Sequence, residues 1–308
     1  MSAMLERWQR SIAAQIEAAG GRHDEREIYA GDAGDPGLAG GPDSVSWQLH
    51  GDLGSLVVAG TAAILMEVLH PSVMAGVSAW SSYRSDPLRR ARNTLGYVLR
   101  TTFGSTPAAT RVIESVKRIH AGVEGARPDG VAYRALDPEL VAWVHTCIPW
   151  AVMTAFDRYH RPLGDDEKNR YLREQATIGR LGGAEWVPET VSELEGYLER
   201  MRPLLEPNEQ FRGFLDFLAG TSGDVPVGRR ERFDRWVGIR ASMTLMPEWA
   251  QRLTGTHLPE ALQRAWLIPT DRLKARLVRW AYPELPCKAM ALERALGVAG
   301  GRRVAGAA

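Results

Sequence analysis

Three steps of a polar residue followed by proline, Asp86-Pro87, Thr106-Pro107 and Asp137-Pro138, each head a stretch of helical rather than alternating periodicity. The polar side chain can cap the free amides of a first turn, and proline is tolerated there because that position needs no amide hydrogen. A fourth step, His70-Pro71, acts in the opposite sense. The residue before a proline is driven out of helical geometry, so it closes a helix running from about Asp52 to Leu69, with His70 as a capping or packing residue. The spacing predicts further helices from 86 to 103, from Thr106 through His120, from Asp137 through Tyr159, and over 165–182, 191–205, 208–219, 229–253, 259–266 and 271–282. Val45, Trp47 and Leu49 make the one clear period-two stretch, a short strand. The fold class is all-α, a single globular helical domain. Residues 1–50 are expected to form an N-terminal helix and a glycine-rich connector, 51–290 the main helical domain, and 291–308 a flexible tail.

A chain of 308 residues with 44% hydrophobic content can bury a full core. Its 38 basic and 37 acidic residues leave a net charge of +1, which offers no broad footprint for a phosphate backbone and excludes nucleic acid as the expected partner. Cys147 and Cys287 lie far apart without a CxxC pair, which argues against a disulfide scaffold or a structural zinc and for a reducing, cytoplasmic setting. The N-terminal stretch mixes charges into a helical pattern and carries no export signal. From Leu53 to Met66 the run is apolar but short for a membrane span, and Glu67 and His70 follow directly, so it reads as a buried core helix. No transmembrane segment is expected; peripheral membrane contact and homo-oligomerisation stay open. The glycine-rich stretch from Tyr29 to Pro42 lacks the GxGxxG spacing of a dinucleotide fold and reads as a connector or lid. HExxH, P-loop and GxSxG motifs are absent.

The chemistry-bearing residues lie on helix faces. Ala109, Ile113, Val116 and His120 recur at spacings of four, three and four, so the His120 imidazole continues an apolar stripe and is expected to point inward. Val141, His145, Ile148, Val152 and Tyr159 bring a second imidazole to the same interior. Arg90 and Thr94 are four apart on one helix and can hold a carboxylate through a charge-assisted pair plus a hydroxyl. A neutral imidazole on a rigid element is a good axial ligand for haem iron, so His120 is the candidate metal ligand, with His145 as its alternative or as a propionate-orienting group. The plainer reading of either imidazole is a core histidine bonded to a carbonyl, and the commoner fate of Arg89, Arg90 and Arg92 is a solvated face. Glu67 ends an apolar run, where desolvation would raise its pKa and make it a candidate catalytic proton acceptor; the plainer reading leaves it at the helix end in water or paired to an arginine. Cys147 lies on a helix with no glycine-rich bend before it, which disfavours a thiolate-ligated haem. Ten tryptophans can line an apolar substrate pocket or anchor the core.

Four segments in fixed order, LMEVLHPSVMAGVSAWSSY (65–83), DPLRRARNTLGYVLRTTFG (86–104), VKRIHAGVEG (116–125) and YRALDPELVAWVHT (133–146), resemble the family of the fungal oxygenase MpaB and bacterial latex clearing protein, or rubber oxygenase. The resemblance spans roughly Gly51 to Leu205. It implies a globin-like helical core binding haem b, with dioxygen used to oxidise or cleave carbon-carbon double bonds of isoprenoid-type or lipid-like apolar substrates. By position it makes His120 the proximal iron ligand, matches Arg90 and Thr94 to the arginine and threonine of the haem pocket, and matches His145 to a further family histidine. Glu67 lies on the segment implied for the distal side, with no positional match to the catalytic glutamate of latex clearing proteins. Asn93 stands where those proteins carry a lysine able to occupy the distal iron position, and asparagine is a poor axial ligand. With no export signal, extracellular polymer is not the expected substrate. Two rival classes remain at this stage: a haem-binding sensor, carrier or pseudoenzyme without turnover, and a haem-free helical interaction protein in which His120, His145 and Arg90 finish a polar core network.

Overall fold

The proline steps build helices where the spacing places them. In the computed structural model, which describes residues 2–21, 23–222 and 228–298, Asp86 caps helix Pro87–Phe103 by accepting from the Arg89 amide at 3.1 Å. Asp137 caps helix Pro138–Tyr159 through the Glu139 amide at 3.0 Å. At the third step the cap sits one residue earlier than expected: Ser105 accepts from the Ala108 amide, and helix Thr106–His120 follows. Thr106 is engaged elsewhere, its amide and hydroxyl both donating to the Asp35 carboxylate at 2.7 and 2.6 Å.

At the centre lies helix Leu53–Glu67, whose Leu53, Leu56, Leu65 and Met66 are buried. Each such side chain contributes about 1.5–3 kcal/mol when removed from water. Its chief packing partner is Pro138–Tyr159. That partner is long and apolar enough by composition to cross a membrane, and 61% of its apolar window is buried inside the protein. Two further helices flank the centre. Ile268–Ala281 crosses at Gly54, where a Cβ would lie 2.6 Å from the Ala275 carbonyl oxygen, so only glycine permits the approach. Arg229–Met243 touches the other flank, where the Ser242 hydroxyl donates to the Val58 carbonyl at 3.3 Å. Pro87–Phe103 and Thr106–His120 turn back on each other at the Gly104-Ser105 corner, a short connection that makes antiparallel neighbours.

The structure corrects several expectations. Val45, Trp47 and Leu49 lie in a helix, Val45–His50, capped by Ser44 and buried nearly all round; a helix without a solvent face loses its period. The unforeseen sheet is one antiparallel pair, Glu124–Ala126 with Ala132–Arg134, closed by a turn in which Gly130 takes φ +86°. The span expected as one helix over 229–253 breaks at Pro247 into Arg229–Met243 and Glu248–Leu253. Beyond it, Glu260–Leu262 and Ile268–Ala281 are joined through a π-turn, Gln263–Leu267, which absorbs the helix-breaking Pro269. Residues 291–296, assigned to the flexible tail, complete the packed helix Pro286–Leu296 with Ala291 and Arg294 buried. The tail expectation for 299–308 lies outside the described residues.

The glycine-rich stretch is a connector, not a lid. Asp35 ties its middle to Thr106, and Arg294 donates to the carbonyls of Asp35, Tyr29 and Phe103 at 2.9, 2.5 and 2.9 Å. Gly37 sits at φ +73° with a hypothetical Cβ 2.5 Å from the Gly104 carbonyl oxygen, so the clasp depends on a bare backbone there.

Candidate functional site

Arg90 lies close enough to Glu67 and to His120 to act on the charge of each. Glu67 is the last residue of the central helix, ended by the turn that precedes His70. His70 caps the next helix, its Nδ1 accepting from the Ser72 amide at 3.2 Å, as the sequence suggested. Arg90 and His120 lie nearly equidistant from the Gly104-Ser105 corner, so the antiparallel pair sets them at one end. Thr94 follows Arg90 by one turn. The Arg90 guanidinium donates to the Thr94 hydroxyl, which in turn donates to the Arg90 carbonyl at 3.0 Å.

Arg90 is the charge that Glu67 and His120 share. Burial raises the Glu67 pKa to about 7, and the Arg90 guanidinium pulls against that rise. Desolvation lowers the His120 pKa, and Arg90 lowers it further, so the imidazole is neutral at pH 7. Glu67 remains partly reachable from solvent although its carboxyl is desolvated. Among the described residues neither the Glu67 carboxyl nor the His120 ring holds a hydrogen bond. The Glu67 backbone is anchored instead, its carbonyl accepting from Trp143 Nε1 at 3.1 Å.

His120 departs from one expectation. Its stripe is buried at Ala109 and Ile113, half-buried at Val116 and exposed at His120 itself, so the imidazole continues the predicted face but emerges where the helix outruns its packing. It does not point into a sealed interior. His145 goes elsewhere: its ring lies over Gly179, where a Cβ would approach Cδ2 to 2.5 Å, and burial lowers its pKa to about 4 against a hydrogen bond to the Gln175 backbone. No interaction links it to Glu67, Arg90 or His120 among the described residues. Cys147 is buried with its pKa raised by desolvation and by Glu67, an inert thiol.

One face of the otherwise buried central helix is open. Val57 is 57% exposed, a Cβ on Gly60 would meet nothing within 4 Å, Thr61 and Ile64 are half-buried, and Glu67 completes the three-and-four spacing. A porphyrin needs one protein ligand for its iron, a cation for its carboxylates and an accessible apolar wall. The neutral His120 ring, the Arg90–Thr94 pair and the open helix face fit that requirement. No group of three or more His, Cys, Asp or Glu side chains converges among the described residues.

Sequence reasoning missed two neighbours of the site and one buried structural histidine. Trp143 was counted only among the tryptophans. Tyr97, one turn beyond Thr94 on the same face, has a phenol pushed up to about 12 by desolvation; its i+7 spacing from Arg90 was the available signal. His50 was not singled out, and is a closed structural site: Nδ1 lies 2.6 Å from the Thr102 hydroxyl and Nε2 2.7 Å from the Tyr171 hydroxyl. A separate cavity of about 590 Å³ lined by Trp150, Met153, Leu194, Leu198 and Trp249 includes none of the predicted site residues.

Residues 47–282 match the family described as ER-bound oxygenase mpaB/B'/Rubber oxygenase, catalytic domain. Two mycobacterial proteins named only as uncharacterized, Rv2237 of Mycobacterium tuberculosis and Mb2261 of Mycobacterium bovis, are each 24% identical over 227 residues, covering 70% of this chain and 88% of their own. No solved structure matches.

Proposed function

The chain belongs to the mpaB/rubber oxygenase catalytic-domain family, and from that premise we propose that it is a haem b-dependent oxygenase acting with dioxygen on a carbon-carbon double bond of an apolar, isoprenoid- or lipid-like small molecule. The observation that carries the reading is the action of one guanidinium, Arg90, on both a carboxyl and an imidazole that lack hydrogen-bond partners and stand on accessible ground. A titratable group perturbed both by burial and by a specific charge partner is a functional-site candidate on physical grounds.

Haem supplies the oxidative chemistry with dioxygen when bound. His120 would hold the iron through its ring, and Arg90 with Thr94 would hold the carboxylate edge. The mutual hydrogen bonds of that pair fix the guanidinium before any ligand arrives, which lowers the ordering cost of binding. Glu67, with a pKa near 7, is divided between its two protonation states at neutral pH and can take an allylic proton onto a carboxylate oxygen and return it. Thr61 and Ile64 carry an apolar wall away from Glu67 along the central helix. Asn93, beside Thr94, contributes no second ligand.

The test is the visible spectrum of purified protein, supplemented with hemin and read before and after dithionite, followed by dioxygen uptake with apolar alkenes. A Soret band that His120→Ala abolishes and substrate-dependent uptake support the proposal. A Soret band that survives His120→Ala and is lost in His145→Ala moves the ligand to His145. Bound haem without uptake across a broad panel leaves a sensor or carrier, and a colourless preparation after hemin supplementation overturns the reading.

A further inference from the structure

The C-terminal third carries an exposed apolar stripe. Along Ile268–Ala281 and the π-turn before it, Trp266, Leu273, Leu277 and Trp280 recur at spacings of seven, four and three, which places them on one helix face about 20 Å long. All four are exposed, Leu273 by 58%. The stripe continues onto two neighbouring helices. At one end Trp266 packs against Trp236 with centroids 6.2 Å apart, and Trp236 stacks on Phe233 at 6.2 Å, both on Arg229–Met243. At the other end Gln9 of helix Ser2–Gly20 donates to the Trp280 carbonyl at 2.8 Å, and exposed Met4, Leu5 and Trp8 lie on that helix.

Charge is gathered around the same surface. Arg229–Met243 holds Arg229, Arg230, Arg232, Arg235 and Arg240 against Glu231 and Asp234, and Ile268–Ala281 holds Arg272, Lys274, Arg276 and Arg279 against Asp271. Each helix is thus three charges positive in a chain whose net charge is only +1. Several of these groups are engaged internally: Arg279 pairs with Asp52, Arg235 with Glu231, Lys274 with Asp271, and Arg240 lies over the Trp236 ring. Arg230 and Arg276 are exposed and make no ion pair among the described residues.

We propose that this face docks on an anionic lipid surface, with the tryptophans and leucines entering the headgroup boundary and the arginines meeting lipid phosphates. An apolar stripe rich in tryptophan and leucine, rimmed by arginine, has the composition of a helix lying in the membrane interface. A second copy of the chain suits the surface less well, because a twofold interface would bring two arginine-rich rims against each other. Docking here also sets the open face of the central helix near a source of apolar substrate: Gly54 abuts Ala275 of one docking helix, and Val58 is bonded to Ser242 of the other. The docking claim rests on no cofactor and stands apart from the oxygenase reading.

The test is co-sedimentation of the full chain with phosphatidylcholine vesicles and with vesicles enriched in phosphatidylglycerol. The expected result is binding to the anionic vesicles that falls as salt rises. Leu273→Ser/Leu277→Ser should weaken it by about tenfold or more. Arg230→Glu/Arg276→Glu should remove the preference for phosphatidylglycerol. Both variants should keep the wild-type circular dichroism. Should the leucine variant fail to fold, quenching of wild-type tryptophan fluorescence by phosphatidylglycerol with brominated chains reads the same contact. Absence of such quenching, failure to bind either vesicle, or binding unaltered in a folded leucine variant overturns the proposal. So does a stable dimer that the leucine substitutions dissociate, since a second copy then covers the stripe.

Discussion

His50 and His120 show two settings for an imidazole on a helical scaffold, one enclosed and one at a helix end. At His50 every polar atom is engaged. The Thr102 hydroxyl donates to the Val98 carbonyl at 2.8 Å, so it accepts from Nδ1–H, which leaves Nε2 to accept from Tyr171. His50 is buried and its pKa falls to about 3. At His120 the ring is exposed, without a hydrogen bond, and shares the Arg90 field with an equally unengaged Glu67. Both imidazoles have depressed pKa values for the same reason, desolvation. What separates them is closure. A closed network fixes helices to one another, whereas an open one leaves donors and acceptors for something that arrives later.

The largest effect that would break this contrast is catalytic. Glu67→Gln keeps the shape of the carboxyl but removes its proton affinity, and turnover with an apolar alkene should fall by about 10²–10⁴-fold. Dioxygen uptake at saturating substrate measures it; wild-type rates in the variant would show the open group to be idle. Next comes the closed group. His50→Ala strands the Tyr171 hydroxyl and opens a cavity, so urea unfolding should register a loss of about 2–4 kcal/mol, with the haem spectrum of the remaining folded protein unchanged.

A comparable but pH-dependent effect belongs to Glu67. Its folded pKa of about 7 lies above the ordinary 4.5, so the stability that its neutral form provides is complete below about pH 4.5 and is lost as pH rises through 7. The difference in unfolding free energy between wild type and Glu67→Gln should therefore grow from pH 5 to pH 8 in favour of the variant, by up to about 3 kcal/mol. A flat difference would show a carboxyl that solvent reaches freely. The smallest effect sharpens the contrast most. His120→Ala should shift the stability of the haem-free protein by less than about 0.5 kcal/mol, because an exposed ring without partners supports nothing. The same substitution should abolish the Soret band.

The helical class was legible because its signals are local. Asp86, Asp137 and the prolines after them cap and start helices through chemistry confined to one turn. The stripe ending at His120 gave the correct face and the wrong burial, since periodicity reports direction and says nothing of where a neighbouring helix stops. Val45–His50 defeated the reading because Ser46 and His50 are buried beside the apolar residues, erasing the polar face on which a helical period depends. The hairpin at 124–134 was announced by Asp129-Gly130, but its strands are mostly exposed and lack alternation. The convergence of Glu67 with Arg90 was beyond sequence reasoning, because it depends on how the central helix meets the hairpin of helices. His145 shared the inward face of its helix as expected, yet Gly179 received it.

Arg294 carries a consequence for synthesis. It bonds to carbonyls 265 and 191 residues earlier in the chain. While the ribosome works, the loop at Tyr29 and the helix end at Phe103 emerge long before the guanidinium that locks them. That closing contact forms late, and until then the nascent chain is exposed to the misassembly that long-range topologies invite.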